Sequence, residues 1–231
     1  MKVQPFINLP SDGKDFKVIR PFFRKLNQYS RTIDTIDTIV LHWTDSNSNA
    51  EAVNILTGTV KGYHFLIDKG GKIIQGAPLI RRVGHAGYSY GPQGSEVNTY
   101  SVGISFDVKP NDIGFTKDGD FTDEMYTTCA NLIKDIKLSL PNIKFITGHQ
   151  WVSPRRKVDP WSFDFKRLMG LLGGGYEIWK TGYPPFPEGL EQCSATAPYG
   201  KCIGPGGWGY SKDNLTTAVS DASFTSDMDT E

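Results

Sequence analysis

Nowhere in the 231 residues are there about 18 consecutive apolar side chains, the run a bilayer-spanning helix needs, so membrane insertion is not expected. The opening stretch Met1 to Arg20 scatters Asp12, Lys14, Asp15 and Lys17 where an export signal needs an unbroken apolar core, so the chain reads as made in soluble form without a signal peptide. Net charge is also missing. Lys+Arg and Asp+Glu are both 25, which removes the bulk electrostatic attraction that nucleic acid or an anionic membrane would require. Cysteine is scarce: Cys129, Cys193 and Cys202 make no CxxC pair and no disulfide framework. Cys129 falls on the apolar side of an expected helix, whereas Cys193 and Cys202 either close a small loop in an oxidising compartment or remain thiols. With these classes set aside, a local site must carry the function.

What is present suffices for one well-buried domain of roughly 150 residues plus an extension. After an irregular lead-in over residues 1–34, the run from Thr35 to Trp43 has the β-branched, apolar character of a buried strand. Ser48 suits the N-cap of a short helix reaching Leu56, and Lys69-Gly70-Gly71 joins the segments 62–68 and 72–76 as a hairpin. Further strands are expected over 101–108 and 145–147. Between them Thr122 caps the clearest helix, with Asp123 and Glu124 in its first turn and Met125, Cys129, Leu132, Ile133 and Ile136 at three- and four-residue steps. A helix over 163–172 closes the pattern. This order predicts an α/β domain over residues 35–172, with a mixed central β-sheet flanked by α-helices. From Gly173 to Glu231 a Gly/Pro/aromatic-rich extension follows, whose Trp179, Tyr183, Phe186 and Trp208 suggest docking on the domain or on a protein partner.

Three side chains able to bind zinc stand at strand or loop ends: His42, His149 and Asp159. Two imidazoles and a carboxylate leave the fourth tetrahedral position for water, as a hydrolytic centre needs, whereas a structural site is usually closed by a fourth side chain. Spacing this long is weak support by itself, and ordinary core or surface histidines remain the alternative.

The segments Ile39-Val-Leu-His-Trp-Thr44, Gly62-Tyr-His-Phe-Leu-Ile-Asp68, Gly84-His-Ala-Gly87, Ser101-Val-Gly-Ile104 and Gly148-His149 through Lys157-Val-Asp-Pro160, in that order, resemble the type 2 N-acetylmuramoyl-L-alanine amidases. That group includes phage lysozyme-type endolysins, cytosolic recycling amidases and peptidoglycan recognition proteins, and the resemblance covers about Thr35 to Arg167. It implies Zn2+ held by His42, His149 and Asp159, bacterial peptidoglycan as partner, and a catalytic Lys157. A lysine two residues before a metal ligand can stabilise the negative charge of a tetrahedral intermediate.

Tyr63 matches an active-site tyrosine of some members, its hydroxyl free to hydrogen-bond the reacting oxygens. In a regular strand Tyr63 and His64 would face opposite ways, so Tyr63 is assigned to the site and His64 either to packing or to a supporting place behind the metal ligands. His85 is expected to border the substrate groove, with Asn98 and Trp151 as further contacts of the same kind, although an aromatic side chain more often fills a core. Recycling-type members carry a glutamate where this chain has Ser105, a residue unable to act as that base; phage-type relatives lack the glutamate too. Asp107, on the same strand face, reads as a strand-end solvent contact. Ser105 and the long extension favour a phage-type wall-lytic enzyme, held in the host cytoplasm until release or carried on the virion, over a cytosolic recycling enzyme. A binding module without catalysis and a stem-peptide endopeptidase are the competing readings. No His-Glu-x-x-His motif supports the latter.

Overall fold

The strand pattern resolves into one seven-stranded sheet in a computed structural model that describes residues 31–180, with breaks at 47, 58–60, 88, 111–115, 117–118 and 154–156, and the short strands 17–18, 191–192 and 202–203. In chain order the elements are β1 (Lys17–Val18), β2 (Thr38–Trp43), α1 (Asn49–Thr57), β3 (Phe65–Ile67), β4 (Ile73–Gln75), β5 (Tyr90–Gly91), β6 (Gly94–Ser95), α2 (Val97–Tyr100), β7 (Ser101–Phe106), α3 (Asp123–Ser139), β8 (Phe145–Gly148), α4 (His149–Val152), α5 (Phe165–Leu172), β9 (Glu177–Ile178), β10 (Glu191–Gln192) and β11 (Cys202–Ile203). The sheet order is β1-β4-β3-β7-β2-β8-β9, with β3 and β4 antiparallel and the other neighbours parallel. The expected mixed α/β architecture is therefore present. Among the described residues no helix is long and apolar enough to cross a membrane.

Central position explains the composition of β2. It pairs with β7 on one side and β8 on the other, and all six of its residues are buried, as a strand covered on both faces requires. Alternation then sorts the side chains. Ile39, Leu41 and Trp43 of β2, with Val102, Ile104 and Phe106 of β7, join Met125, Cys129, Leu132, Ile133 and Ile136 of α3 and Leu168 and Leu172 of α5 in the main core. Phe106, Phe121, Tyr126, Phe163 and Phe165 stack and tilt against one another at the edge of this layer. The opposite face is covered by α1, whose Ala52 and Val53 meet Leu66 and Ile74, and by α2 and α4 around Val40, Ala86, Val97 and Val152.

Local signals in the sequence fix both helix starts. Thr122 Oγ1 accepts the Met125 N–H at 3.2 Å, and Ser48 Oγ accepts the Glu51 N–H at 3.2 Å. Strand β2, expected from Thr35, begins at Thr38, because residues 33–35 form a 3₁₀ turn ahead of it. The folded unit also extends on both sides of residues 35–172. Arg31, half-buried, donates to the Leu79, Asn98 and Ser101 carbonyls, and Glu177 and Ile178 pair with Phe145 and Ile146 of β8. Trp179 follows, its N–H donating to the Ile146 carbonyl at 2.9 Å and its ring packed on both cores. This part of the extension docks on the domain because a sheet edge left open at β8 offers unpaired backbone groups. Tyr183, Phe186, Cys193 and Trp208, and with them the question of a Cys193–Cys202 bridge, lie outside the described residues. Cys129 is a free, fully buried thiol.

Candidate metal centre

All four histidines of the chain converge on the sheet face opposite α3. His42 is the fifth residue of β2, near its carboxyl end, and His149 follows β8 directly as the first residue of α4, so adjacent parallel strands deliver both imidazoles to one edge. Open α/β sheets place ligands at that carboxyl edge. Asp159 is brought back by a loop whose ends are tied: the Gln150 N–H donates to the Asp159 carbonyl at 2.7 Å, and the Lys157 N–H to the Ser153 carbonyl at 3.0 Å. Gly148 permits the return, since a Cβ there would sit 3.0 Å from Pro160 Cδ and 3.2 Å from the Phe165 ring.

The three predicted ligands meet through one atom each. His42 Nδ1 lies 3.0 Å from Asp159 Oδ2 and 3.1 Å from His149 Nδ1, and His149 Nδ1 lies 3.1 Å from Asp159 Oδ2. All three residues are buried. Nε2 of His149 faces the Ala86 carbonyl at 3.1 Å, an acceptor that fixes the proton on Nε2 and leaves a lone pair on Nδ1. Burial pushes the His149 pKa down to about 4, against the pull of Asp159, so the ring is neutral near pH 7. Burial alone would raise the Asp159 pKa, yet the His149 and His42 imidazoles beside it hold it well below the usual carboxylate range. A single proton satisfies at most one of the three contacts among these atoms, whereas a cation placed on their common side satisfies all three. The donor set fits a zinc-type ion.

Tyr63 stands next to this cluster, its ring centroid 5.0 Å from that of His42 and its hydroxyl donating to the Trp43 carbonyl at 3.3 Å. Burial raises its pKa and the Asp159 charge adds to the effect, while the Ser105 hydroxyl close by works the other way. Ser105 Oγ is itself buried without a hydrogen bond of full geometry among the described residues. Lys157 is half-buried, and its charge lowers the pKa of both His149 and Asp45. Burial raises the pKa of Asp45, with the Asp159 charge adding to it and Lys109 opposing.

His64 and Tyr63 precede β3 rather than lying in it, so strict alternation does not govern them, and both rings reach the histidine cluster. His64 nevertheless sits behind the ligands, its Nδ1 accepting the Gly103 N–H at 2.9 Å and its Nε2 3.0 Å from the Arg81 carbonyl. His85, expected to border the substrate groove, is buried next to His42, with Nδ1 3.0 Å from His42 Nε2. Asn98, expected beside it as a contact, is buried and spends its Oδ1 on the N–H groups of His85 and Ala86 at 3.1 and 2.8 Å. Trp151 packs on Phe165 at 4.2 Å between centroids, under the Lys180 ammonium. His85 and Asn98 are held in the interior by their hydrogen bonds to His42, Ser101 and the His85–Ala86 backbone, and Trp151 by its packing on Phe165.

Arg31 went unnoticed in the sequence. Its guanidinium donates to the carbonyls of Leu79, Asn98 and Ser101 and lies 3.0 Å from His64 Nε2. Burial, with Arg82 nearby, lowers its pKa to about 9. Its position in an irregular lead-in carried no periodic signal.

Comparison with known proteins places this geometry. The profile of the family described as N-acetylmuramoyl-L-alanine amidase matches residues 32–162. The 1,6-anhydro-N-acetylmuramyl-L-alanine amidase AmpD of Salmonella typhimurium is 32% identical over 111 residues, 47% of this chain and 56% of the relative. The protein of that name from Haemophilus influenzae is 32% identical over 112 residues, 47% of this chain and 57% of the relative. The chain thus spans little more than half the length of these relatives. Among solved structures, AmpDh3 of Pseudomonas aeruginosa aligns with a TM-score of 0.54 at 21% identity, covering 64% of each chain. The N-acetylmuramyl-L-alanine amidase AmiD of E. coli, solved with anhydro-N-acetylmuramic acid-L-Ala-D-γ-Glu-L-Lys, aligns with a TM-score of 0.51 at 22% identity, covering 64% of this chain and 61% of that one. These structural likenesses speak for the fold.

Proposed function

The chain belongs to the N-acetylmuramoyl-L-alanine amidase family, and from that premise we propose that it hydrolyses the amide bond between the muramic acid lactyl group and the first L-alanine of the peptidoglycan stem. The observation that carries the reading is the meeting of His42 Nδ1, His149 Nδ1 and Asp159 Oδ2 at 3.0–3.1 Å. These three atoms would hold zinc. When bound there, zinc supplies a Lewis acid for the scissile carbonyl and a lowered pKa for water.

The chain's own groups do the rest. Hydrolysis adds water to the carbonyl carbon, so the carbonyl oxygen gains negative charge in the tetrahedral intermediate; when that charge collapses back to C=O the C–N bond breaks and the amine leaves with a proton. Lys157, whose charge already reaches His149, would stabilise that oxyanion. Tyr63 stays protonated because burial raises its pKa, so its hydroxyl serves as a hydrogen-bond donor to the reacting oxygens rather than as a base. With Ser105 where recycling-type members carry glutamate, no side chain at that position can take the proton.

Ser105 supports the finer reading of a wall-lytic, phage-type enzyme, which would stay in the host cytoplasm until released to the wall. The AmpD relatives favour a second reading, with soluble 1,6-anhydro muropeptides as substrate. One experiment separates them. Purified protein is incubated with intact wall sacculi and with soluble anhydromuropeptides, with and without a zinc chelator, and the released ends are read by mass spectrometry. The proposal expects peptides with a free N-terminal alanine from sacculi, lost on chelation and in His149→Ala and Lys157→Ala. Cleavage confined to soluble fragments supports the recycling role, cuts inside the stem an endopeptidase, and binding without cleavage a recognition module.

A further inference from the structure

Behind the candidate ligands, a single file of buried polar groups runs away from the metal site. Ser101 Oγ lies 2.5 Å from the Val97 carbonyl and 3.1 Å from His85 Nε2, and His85 Nδ1 lies 3.0 Å from His42 Nε2. The Val97 carbonyl can only accept, so the Ser101 hydroxyl spends its one proton there. Ser101 Oγ must then accept from His85, which puts the His85 proton on Nε2 and a lone pair on Nδ1. That lone pair accepts from His42 Nε2–H. The consequence reaches the front of the site: with its proton committed to Nε2, His42 presents an unprotonated Nδ1 toward Asp159 and His149.

We propose that His85 is a positioning residue of the metal centre, which with Ser101 fixes the tautomer and ring angle of His42 for metal binding and makes no contact with substrate. This rests on the proposed zinc site, and two further observations show the file to be built for the ring. Gly103, directly under His85, would bring a Cβ to 2.7 Å from His85 Cγ and 2.9 Å from Nδ1, so the ring occupies the volume a side chain would fill. Asn98 Oδ1 clamps the backbone on either side by accepting the N–H groups of His85 and Ala86. Arg31 in turn grips the Ser101 carbonyl, holding the serine end of the file.

Groups behind a metal-binding histidine orient it, and losing them costs roughly 10- to 100-fold in metal affinity. The test measures zinc dissociation constants by competition with a chromophoric chelator for the full chain and for His85→Phe, His85→Gln, Ser101→Ala and Gly103→Ala. It also reads the His42 tautomer from ¹⁵N shifts of the zinc-free proteins. His85→Phe keeps a ring over Gly103 but offers no acceptor, and should weaken zinc binding by about 10- to 100-fold and release His42 from its Nε2–H form. His85→Gln, whose amide oxygen accepts from His42, should recover most of the affinity. Ser101→Ala and Gly103→Ala should move both readings in the same direction by smaller amounts, and KM at saturating zinc should stay at the wild-type value. Folded variants with wild-type affinity and tautomer overturn the proposal, as does a raised KM with unchanged zinc affinity, which would make His85 a substrate contact. A wild type that takes up no zinc sinks the amidase reading instead, leaving the relay to be decided by the metal-free tautomer signal.

Discussion

Along β7, Val102, Ile104 and Phe106 turn toward the helix layer, while Ser101, Gly103 and Ser105 between them turn toward the histidines. Strand β2 divides the same way: Ile39, Leu41 and Trp43 face the helices, and Thr38, Val40 and His42 the other side. The helix side is filled by apolar volume and holds itself together without direction. The site side is filled by small residues that leave room for four imidazoles and a guanidinium, each oriented by a named partner. One pair of strands thus supplies bulk stability on one face and directed polar contacts on the other, and perturbations should separate the two.

Removing a ligand should break the site face and spare the helix face. His149→Ala or Asp159→Ala is expected to abolish zinc uptake and hydrolysis while far-UV circular dichroism remains that of the wild type; loss of the fold in both would mean the faces are not separable. On the helix face, Leu132→Ala leaves a cavity in the core and should lower stability by about 2–5 kcal/mol in urea titration, with zinc affinity of the folded protein unchanged. Lys157→Ala should reduce kcat by about 10²- to 10³-fold, or about 3–4 kcal/mol, at wild-type zinc affinity; a parallel loss of zinc would assign the lysine to the metal rather than to the oxyanion.

Acid should attack the site face alone. His64, His85 and His149 are all held below the ordinary histidine value, chiefly by burial, and so stay neutral in the folded chain. Unfolded histidines take up protons below about pH 6.5. Stability of the zinc-free protein should therefore fall as pH drops through that value, by up to about 1.4 kcal/mol per pH unit for each histidine. Urea midpoints at neutral pH and at about pH 5 check this, and replacing His64 with glutamine should flatten the slope. The smallest effect is expected at an exposed helix end on the helix face: Thr122→Ala removes the α3 cap and should cost about 1 kcal/mol with no change at the site.

Much of the fold was legible because burial imposes a period. The α3 stripe at Met125, Cys129, Leu132, Ile133 and Ile136 and the cap at Thr122 are local patterns, and each appears where the spacing puts it. Element ends were less legible. The 3₁₀ turn before Thr38 and the pairing of Glu177–Ile178 with β8 depend on which backbone groups the neighbouring strands leave open, a fact of assembly rather than of composition.

The site divides along the same line. By itself the sequence determined that His42, His149 and Asp159 were worth placing together, because their residue types and ordered motifs name a chemistry. Only the tertiary structure decided that His85, Asn98 and Trp151 point inward, that Arg31 from an unpatterned lead-in donates to the Leu79, Asn98 and Ser101 carbonyls, and that a serine sets the terminus of the file behind His42. The reason is physical. A ligand's identity is written in its own side chain, but its direction and proton are set by partners tens of residues away, which become neighbours only when the sheet closes.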